Sequence, residues 1–361
     1  MIKNENIMKG IILHGGHGTR LRPLTHTGPK QLLPIANKPM SQYCLEKIKE
    51  AGINEIAIIV GGIGSNKVKE FYGDGDKFGV KITYVEQEYP KGIAHAINLC
   101  KKFVGNEKFL VFLGDNIIKK NISEYIKEFE EGKADASVLL CEVKNPSQFG
   151  IAQIENKKII KIVEKPKDPP SNLAVTGIYL LSPKIFEIFK TLKPSWRNEL
   201  EITDALDMLL KEKHEVSYYM VTDYWKDTGT PEDILHANQL LLEDCKSYNN
   251  GIINKYVSIT GTVMIGKDTV IQSNVIIKGP IIIGDGCVIE KDTEIGPNIS
   301  VGDNSIISGC KISNSIIMDN SEIRCKEKIH NSIISAKSKI LTSDDQGSKT
   351  LLLGEGTKIT L

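Results

Sequence analysis

The most constraining feature of this sequence is a six-residue repeat in its C-terminal part. An aliphatic residue returns at every sixth position, at Ile265, Ile271, Ile277, Ile283, Ile289, Ile295, Val301 and Ile307. The residue two positions before each of these is smaller or β-branched. The spacing shortens to five residues at Ile312 and Ile317 and then returns to six. This period predicts a parallel β-helix in which each hexapeptide forms one wall of a triangular coil. A short strand is also predicted near the end of the chain, at Thr350–Leu353.

The chain before the repeat has a different sequence pattern. Apolar runs that predict strands alternate with segments of helical spacing, and the strands are Ile11–Leu13, Glu55–Val60, Val80–Val85 and Phe109–Leu113. A helix is expected from about residue 93 to 104, four further strands lie between 135 and 181, and helices follow near 184–192, 199–213 and 232–244. This alternation predicts an α/β domain with a Rossmann-like, mostly parallel sheet covered on both faces. We therefore expect one domain over residues 1–245 and a β-helix domain over residues 246–361.

The first predicted strand ends in a loop rich in glycine and basic residues. It contains Gly15, Gly16, Gly18, Thr19, Arg20 and Arg22, and Lys30 follows. Glycines let backbone N–H groups approach a ligand, and arginine suits bidentate contact with phosphate oxygens. Leu21 stands where a dinucleotide fingerprint needs its third glycine, and a P-loop would need GKS or GKT. The loop predicts a phosphate cradle of another kind; the alternative is a glycine turn with solvated cations.

Two aspartates at a distance from each other in sequence are candidate metal ligands. Asp115 follows the apolar strand Phe109–Leu113, and Asp227 lies in the segment WKDTGT. Carboxylate oxygens suit Mg²⁺. The alternative for each is a capping role, for the next turn or for the helix after Pro231. Two aspartates together with an Arg/Lys loop suit phosphoryl or nucleotidyl transfer.

A second set of charged residues lies further along the chain. Glu164 and Lys165 adjoin each other after an apolar strand, so both can serve one ligand only if they lie at the strand end. Arg197, Glu201 and Asp204 straddle a predicted helix start, where an anion gains from the helix dipole. The alternatives are a solvated ion pair and ordinary capping.

Composition excludes several classes of function. With 46 basic and 45 acidic side chains the net charge is +1, which gives no basic excess for nucleic acid or a membrane surface. The seven cysteines include no CxxC pair, which favours reduced thiols in a cytoplasm. No apolar run approaches about 18 residues. We expect a soluble, cytoplasmic protein without a zinc site.

Several motifs together resemble the sugar-1-phosphate nucleotidylyltransferases. They are GGHGTRLRPLT, GPKQLLPIANKP, the stretch 84–96, LGDN, FGIAQIE, VEKPKDPPSNLAVTGIY, PSWRNELEITDAL and WKDTGTPEDIL. They span nearly all of residues 9–245 in family order. Within the family the chain is similar to the long thymidylyltransferases, which carry a C-terminal left-handed β-helix.

The resemblance implies a reaction and roles for individual residues. Sugar 1-phosphate would attack the α-phosphorus of a nucleoside triphosphate and release pyrophosphate. The implied catalytic residues are Arg20, Lys30 and Lys165; the nucleotide would contact Gly15, Gly16, Gly18, Thr19, Gln87 and Gly92; the sugar phosphate would contact Gly150, Glu164, Lys165, Val175 and Arg197; and Asp115 and Asp227 would hold Mg²⁺. His14 departs from the family pattern, which usually has alanine there.

The resemblance also suggests specificity and assembly. The expected substrates are dTTP and α-D-glucose 1-phosphate, and the expected products are dTDP-glucose and pyrophosphate. One alternative is a UTP-dependent enzyme acting on glucose 1-phosphate or N-acetylglucosamine 1-phosphate, and another adds acetyltransferase activity in the β-helix. A third is a regulatory relative without turnover. We expect a homo-oligomer formed through the β-helix.

Overall fold

The structure is a computed structural model that describes residues 8–16, 18–342 and 356–359. The strand predicted at Thr350–Leu353 lies outside the described residues. In the described part of the chain, no helix combines the length and the hydropathy needed to cross a membrane.

The elements of the N-terminal part alternate as the sequence pattern predicts. The strands are β1 Lys9–Leu13, β2 Pro34–Ile35, β3 Lys38–Pro39, β4 Glu55–Val60, β5 Lys81–Glu86, β6 Phe109–Leu113, β7 Asn116–Ile118, β8 Ala136–Glu142, β9 Gly150–Glu155, β10 Lys158–Glu164, β11 Leu173–Leu181, β12 Val216–Met220 and β13 Trp225–Asp227. The helices are α1 Met40–Glu50, α2 Ser65–Tyr72, α3 Ile93–Leu99, α4 Lys101–Val104, α5 Ser123–Glu131, α6 Ile185–Phe189, α7 Ile202–Lys211 and α8 Pro231–Glu243. Short 3₁₀ turns occur at Thr19–Leu21, Lys30–Leu32, Asp76–Phe78 and Pro146–Gln148.

The described chain divides into two compact units. The first takes the chain up to Gly18, Thr25–Leu32 and Met40–Asp227. The second takes Thr19–Leu24, Leu33–Pro39 and the chain from Thr228 onward. The boundary expected after residue 245, where the repeat begins, stays a prediction.

A nine-stranded sheet forms the centre of the first unit. Its main path runs β10-β9-β11-β6-β1-β4-β5, and β8 joins β11 and β12. Strands β6, β1, β4 and β5 are parallel, whereas β11 pairs antiparallel with β6 and β8. Apolar clusters cover both faces, one with residues of α3, α6 and α7 and the other with residues of α1, α2 and α5. The predicted α/β architecture is confirmed, and the carboxyl ends of its parallel strands share one edge.

Several elements of this unit differ from the prediction. The helix expected from about residue 93 to 104 is two helices, because Cys100 has a non-helical backbone (φ −82°, ψ 2°) between α3 and α4. Helix α5 was not predicted, although Tyr125, Ile126 and Phe129 are buried along it at helical spacing. The antiparallel pair β7–β13 was also missed, since three-residue strands carry no measurable period.

The second unit contains the stacked coils that the six-residue repeat predicts. One sheet stacks Tyr248–Asn249, Val263–Ile265, Ile281–Ile283, Ile299–Val301, Ser315–Ile317 and Ile333–Ile334. The second stacks Ile252–Ile253, Val270–Ile271, Val288–Ile289, Ile306–Ser308, Glu322–Arg324 and Lys339–Leu341. The third stacks Ser258–Thr260, Ile276–Lys278, Glu294–Ile295, Lys311–Ser313 and Lys328–His330. Within each sheet, neighbouring strands pair in parallel, as in a left-handed β-helix.

Two features of the coils explain the six-residue period. The eight aliphatic residues of the repeat are buried in one continuous core. Corner residues have left-handed backbone conformations and include Asp268, Asn274, Gly286, Asp292, Asn298 and Asn304. Asparagine, aspartate and glycine tolerate that conformation best, so each wall can turn sharply into the next.

Buried hydrogen bonds connect helix α8 to the rest of the second unit. Asn238 is 1% exposed, and its Oδ1 accepts hydrogen bonds from the Ala36 N–H at 2.8 Å and from the Ser300 hydroxyl at 2.5 Å. Asn37 donates to the Val301 carbonyl at 2.6 Å. The β2–β3 hairpin is thereby joined to α8 and to the coils.

Candidate active site

A cleft in the first unit opens at the carboxyl end of β6 and encloses ≈ 140 Å³. It is lined by Ile93, Leu113, Asp115, Asn116, Gln148, Phe149, Gly150, Glu164, Lys165, Val175, Thr176, Gly177, Tyr179, Glu201, Ile202, Thr203, Trp225 and Asp227. Both predicted metal ligands are among these residues, as are four of the residues predicted to contact the sugar phosphate. The cleft therefore brings together residues from seven separate stretches of sequence.

The pair β7–β13 places the two aspartates at the same cleft. Asp227 lies directly opposite Asn116 in this antiparallel pair, so their Cα atoms are about 5 Å apart. Asp115 is the residue before Asn116. The capping alternative for Asp227 is wrong, since the cap of α8 is Thr230, which forms a capping box with Asp233.

Asp115 is held in place by a cation and by an amide. Its carboxylate forms an ion pair with Lys30 and accepts a hydrogen bond from Asn116 Nδ2 at 3.0 Å. Burial by itself would raise the pKa of Asp115, but the Lys30 ammonium and the hydrogen bonds outweigh burial and hold that pKa below its usual range. Asp115 is therefore a carboxylate at neutral pH.

Asn116 has a structural role in the cleft that the sequence did not indicate. Its Oδ1 accepts a hydrogen bond from Trp225 Nε1 at 2.7 Å, and the same indole N–H lies 2.9 Å from the Thr176 carbonyl. Asn116 therefore links Asp115 to the strand that carries Asp227. Its position directly after Asp115 was the only sequence signal.

The glycine loop after β1 has open space where a ligand would approach. A Cβ at Gly15 or Gly16 would meet no atom of the described residues within 4 Å, and Gly16 has a φ of +91°, which favours glycine. The Gln31 amide donates to the Gly15 carbonyl at 2.9 Å, and the Thr25 hydroxyl donates to the Gly18 carbonyl at 2.8 Å. These bonds hold the loop by its carbonyl groups, and among the described residues nothing fills the space beside Gly15 and Gly16.

Thr19 and Arg20 lie in the second unit, on the short 3₁₀ turn Thr19–Leu21. A Cβ on Gly229 would lie 2.9 Å from Nη2 of Arg20, so the guanidinium rests against the bare backbone of Gly229. Gly229, in the segment WKDTGT, thus packs against Arg20, one of the residues predicted to be catalytic.

Gln87 and Gly92, the residues predicted to contact the base, have structural partners. The Gln87 amide nitrogen lies 2.9 Å from Nδ1 of His95, which orients the amide from α3. Gly92 has a φ of +101°, and a Cβ there would lie 2.5 Å from the Leu200 carbonyl oxygen. The close approach of the Leu200 backbone therefore explains why position 92 is glycine.

Glu164 and Lys165 meet the condition that lets both serve one ligand. Strand β10 ends at Glu164, and Lys165 follows with a left-handed backbone (φ +40°). Arg197 Nη1 lies 3.4 Å from Glu164 Oε1, and Lys165 Nζ lies 3.8 Å from the same oxygen. One acidic side chain thus faces two cations at the cleft wall.

The start of α7 does not use ordinary side-chain capping. Glu201 occupies the N-cap position, yet its side chain makes no cap hydrogen bond. Instead it accepts from the Ser195 hydroxyl at 2.9 Å and from Arg197 Nη1 at 3.3 Å. Burial, the proximity of Glu164 and that of Glu199 raise the pKa of Glu201, against the hydrogen bond from Ser195 and the charge of Arg197. Because its carboxylate accepts the hydrogen bond from Arg197 Nη1, Glu201 orients the Arg197 side chain.

Known protein families and individual proteins match this chain over most of its length. The Nucleotidyl transferase family matches residues 9–244, and the GMPPB C-terminal domain matches residues 277–359. The low-salt glycan biosynthesis nucleotidyltransferase Agl11 of Haloferax volcanii is 44% identical over 357 residues, covering 98% of this chain and 100% of that protein. Glucose-1-phosphate thymidylyltransferase of Streptomyces antibioticus is 40% identical over 262 residues, 72% of this chain and 73% of the relative. A UDP-glucose pyrophosphorylase solved with UDP-glucose superposes with a TM-score of 0.60 at 31% identity, covering 66% of this chain and 100% of that chain.

Proposed function

The chain belongs to the nucleotidyl transferase family, and from that premise we propose that this sugar-1-phosphate nucleotidyltransferase uses dTTP and α-D-glucose 1-phosphate. The products are dTDP-glucose and pyrophosphate. The observation that carries the proposal is the convergence of Asp115, Asp227, Glu164 and Lys165 on one cleft. The likeness to the Streptomyces thymidylyltransferase supports the choice of base and sugar.

The proposed chemistry is an in-line displacement at the α-phosphorus. A phosphate oxygen of the sugar 1-phosphate forms the new P–O bond, the bond to the β-phosphate oxygen breaks, and pyrophosphate leaves with that electron pair. Such a reaction needs positioning and charge neutralisation more than a protein nucleophile. The cleft offers both through its carboxylates and Lys165, and Lys30 and Arg197 form ion pairs with two of those carboxylates.

The donor set of the cleft fits Mg²⁺. Asp115 and Asp227 supply two carboxylates at one place, and Mg²⁺ is usually bound through one or two carboxylates together with waters and substrate phosphates. Within the described ranges no group of three or more His, Cys, Asp or Glu side chains is placed to hold a metal, so substrate phosphates and waters would have to supply the other ligands. When bound, Mg²⁺ would neutralise charge on the phosphate oxygens.

Each side chain has a distinct task in this proposal. Lys30, which is paired with Asp115, neutralises negative charge on the nucleotide phosphates. Lys165 does the same for the sugar phosphate, and Glu164 accepts hydrogen bonds from sugar hydroxyls. The glycine loop binds the triphosphate, and Gln87 reads the edge of the base.

A substrate matrix tests the proposal. The protein is incubated with Mg²⁺, each nucleoside triphosphate in turn, and either glucose 1-phosphate or N-acetylglucosamine 1-phosphate, and pyrophosphate release is followed. The expected result is fastest release with dTTP and glucose 1-phosphate, and its loss with EDTA. Fastest release with UTP would make the protein a uridylyltransferase, and no release with any pair would overturn the proposal. A parallel incubation with acetyl-CoA and glucosamine 1-phosphate tests for acetyl transfer.

A further inference from the structure

Thr203, a residue outside the set predicted from the sequence, contacts the carboxylate of Glu164. Its hydroxyl donates a hydrogen bond to Glu164 Oε2 at 2.9 Å. The other carboxylate oxygen, Oε1, is the one that faces Arg197 and Lys165. The two oxygens of Glu164 are therefore held from opposite sides, one by a neutral donor and one by two cations.

The surroundings of Thr203 favour the side-chain rotamer that the structure shows. Thr203 lies in the first turn of α7 and is 2% exposed. Its methyl group points at Gly150, because a Cβ on that glycine would lie 2.4 Å from Thr203 Cγ2. A β-branched side chain has few χ1 states, so seating the methyl against Gly150 turns the hydroxyl toward Glu164.

The hydrogen bond from this hydroxyl counteracts the electrostatic attraction of Arg197 and Lys165 for the Glu164 carboxylate. Without it, the flexible glutamate would be free to turn both oxygens toward Arg197 and Lys165, because a carboxylate paired with cations gains charge-assisted hydrogen bonds. With it, the carboxylate stays at the cleft wall, which Thr203, Glu164 and Gly150 line together. An acceptor held in this way needs no rearrangement when a ligand arrives.

We propose that Thr203 is a positioning residue for the sugar 1-phosphate, whose hydroxyl orients the Glu164 carboxylate to accept hydrogen bonds from the hydroxyl groups of the sugar. This inference rests on the proposed function, since it takes a sugar 1-phosphate as the ligand of this part of the cleft. It assigns Thr203 no contact with the nucleotide.

The test compares two substitutions that separate shape from hydrogen bonding. T203V keeps the β-branched shape and removes the hydroxyl, and T203S keeps the hydroxyl and removes the methyl group. We expect T203V to raise KM for the sugar 1-phosphate by roughly tenfold, because a hydrogen bond to a charged group is lost, with KM for the triphosphate changed less than about twofold. T203S should remain within about threefold of the wild type for both substrates. If T203V does not fold, T203A supplies a second side chain without a hydroxyl.

Thr293→Val provides a matched control in the second unit. Thr293 is also buried, and its hydroxyl accepts a hydrogen bond from the Gly309 N–H at 3.0 Å. The coil that stacks on it has Val275 at the equivalent position. T293V should lower the melting temperature without changing either KM.

Three outcomes distinguish the claims. A selective rise in the sugar-phosphate KM with T203V supports the inference. An unchanged sugar-phosphate KM, or an equal rise in both KM values, overturns it while the proposed function stands. A wild-type protein that releases no pyrophosphate with any sugar phosphate overturns the proposed function and this inference with it.

Discussion

At the scale of single residues, Asp115 combines burial with a retained negative charge. The ammonium of Lys30 is the main reason that its pKa stays low despite burial. We expect D115N to lower kcat by about 100-fold or more, because losing a carboxylate that supports charge stabilisation costs several kcal/mol. Steady-state pyrophosphate release measures this. D168N, which changes an exposed aspartate outside the cleft, should turn over as the wild type does, and near-normal kcat for D115N would refute the proposed role.

His14 predicts a pH dependence of stability. It is 2% exposed, neither ring nitrogen has a hydrogen-bond partner among the described residues, and burial lowers its pKa from 6.5 to about 3, against the charge of Asp115. Between these two values the unfolded chain binds the extra proton and the folded chain does not. This residue therefore lowers the free energy of unfolding as pH falls from about 6.5 toward 3, by up to roughly 1.4 kcal/mol per pH unit.

The variant H14A should show a shallower dependence. Its absolute stability is expected to be lower because a buried ring is lost, but its free energy of unfolding should fall less steeply than that of the wild type between pH 6.5 and 5. Urea unfolding at several pH values measures the slope. H330A, which removes an exposed histidine, should keep the wild-type slope, and parallel slopes for wild type and H14A would contradict the prediction.

At the scale of elements, the start of α8 is set by a reciprocal pair of hydrogen bonds. The Thr230 hydroxyl accepts from the Asp233 N–H at 3.2 Å, and the Asp233 carboxylate accepts from the Thr230 N–H at 3.1 Å. We expect T230A to lower the free energy of unfolding by about 1 kcal/mol, the usual cost of removing such a cap. T230S retains the hydroxyl and should lose much less. Equal losses for the two variants in denaturant unfolding would show that the methyl group, not the cap, matters.

At the scale of the whole molecule, apolar burial is divided between two compact units that each have a core of their own. In the second unit Ile289 is fully buried and stacks between Ile271 and Ile307. We expect I289A to destabilise this unit by about 2–5 kcal/mol, because the cavity lies inside a continuous stack. I276A removes an outward-facing isoleucine and should cost well under 1 kcal/mol. Thermal unfolding followed by circular dichroism compares the two.

The features that could be predicted from the sequence are those that depend on neighbours along the chain. The predicted strands Glu55–Val60 and Phe109–Leu113 match β4 and β6 because strands buried on both faces have continuous apolar runs. The buried stack that contains Ile289 follows from the period of six. The signals failed where elements are short, as in β7 and β13, or where one residue such as Cys100 interrupts a helix.

The sequence by itself determined the class of both halves of the chain and most of the charged residues that could act on phosphate. Only the tertiary structure decided which of those residues meet. Asp227 joins Asp115 because β13 pairs with β7, and Thr203 reaches Glu164 because Gly150 leaves room for its methyl group. The physical reason is that local propensity and period act over a few residues, whereas a site is assembled by pairings between segments far apart in the chain, whose register no local pattern records.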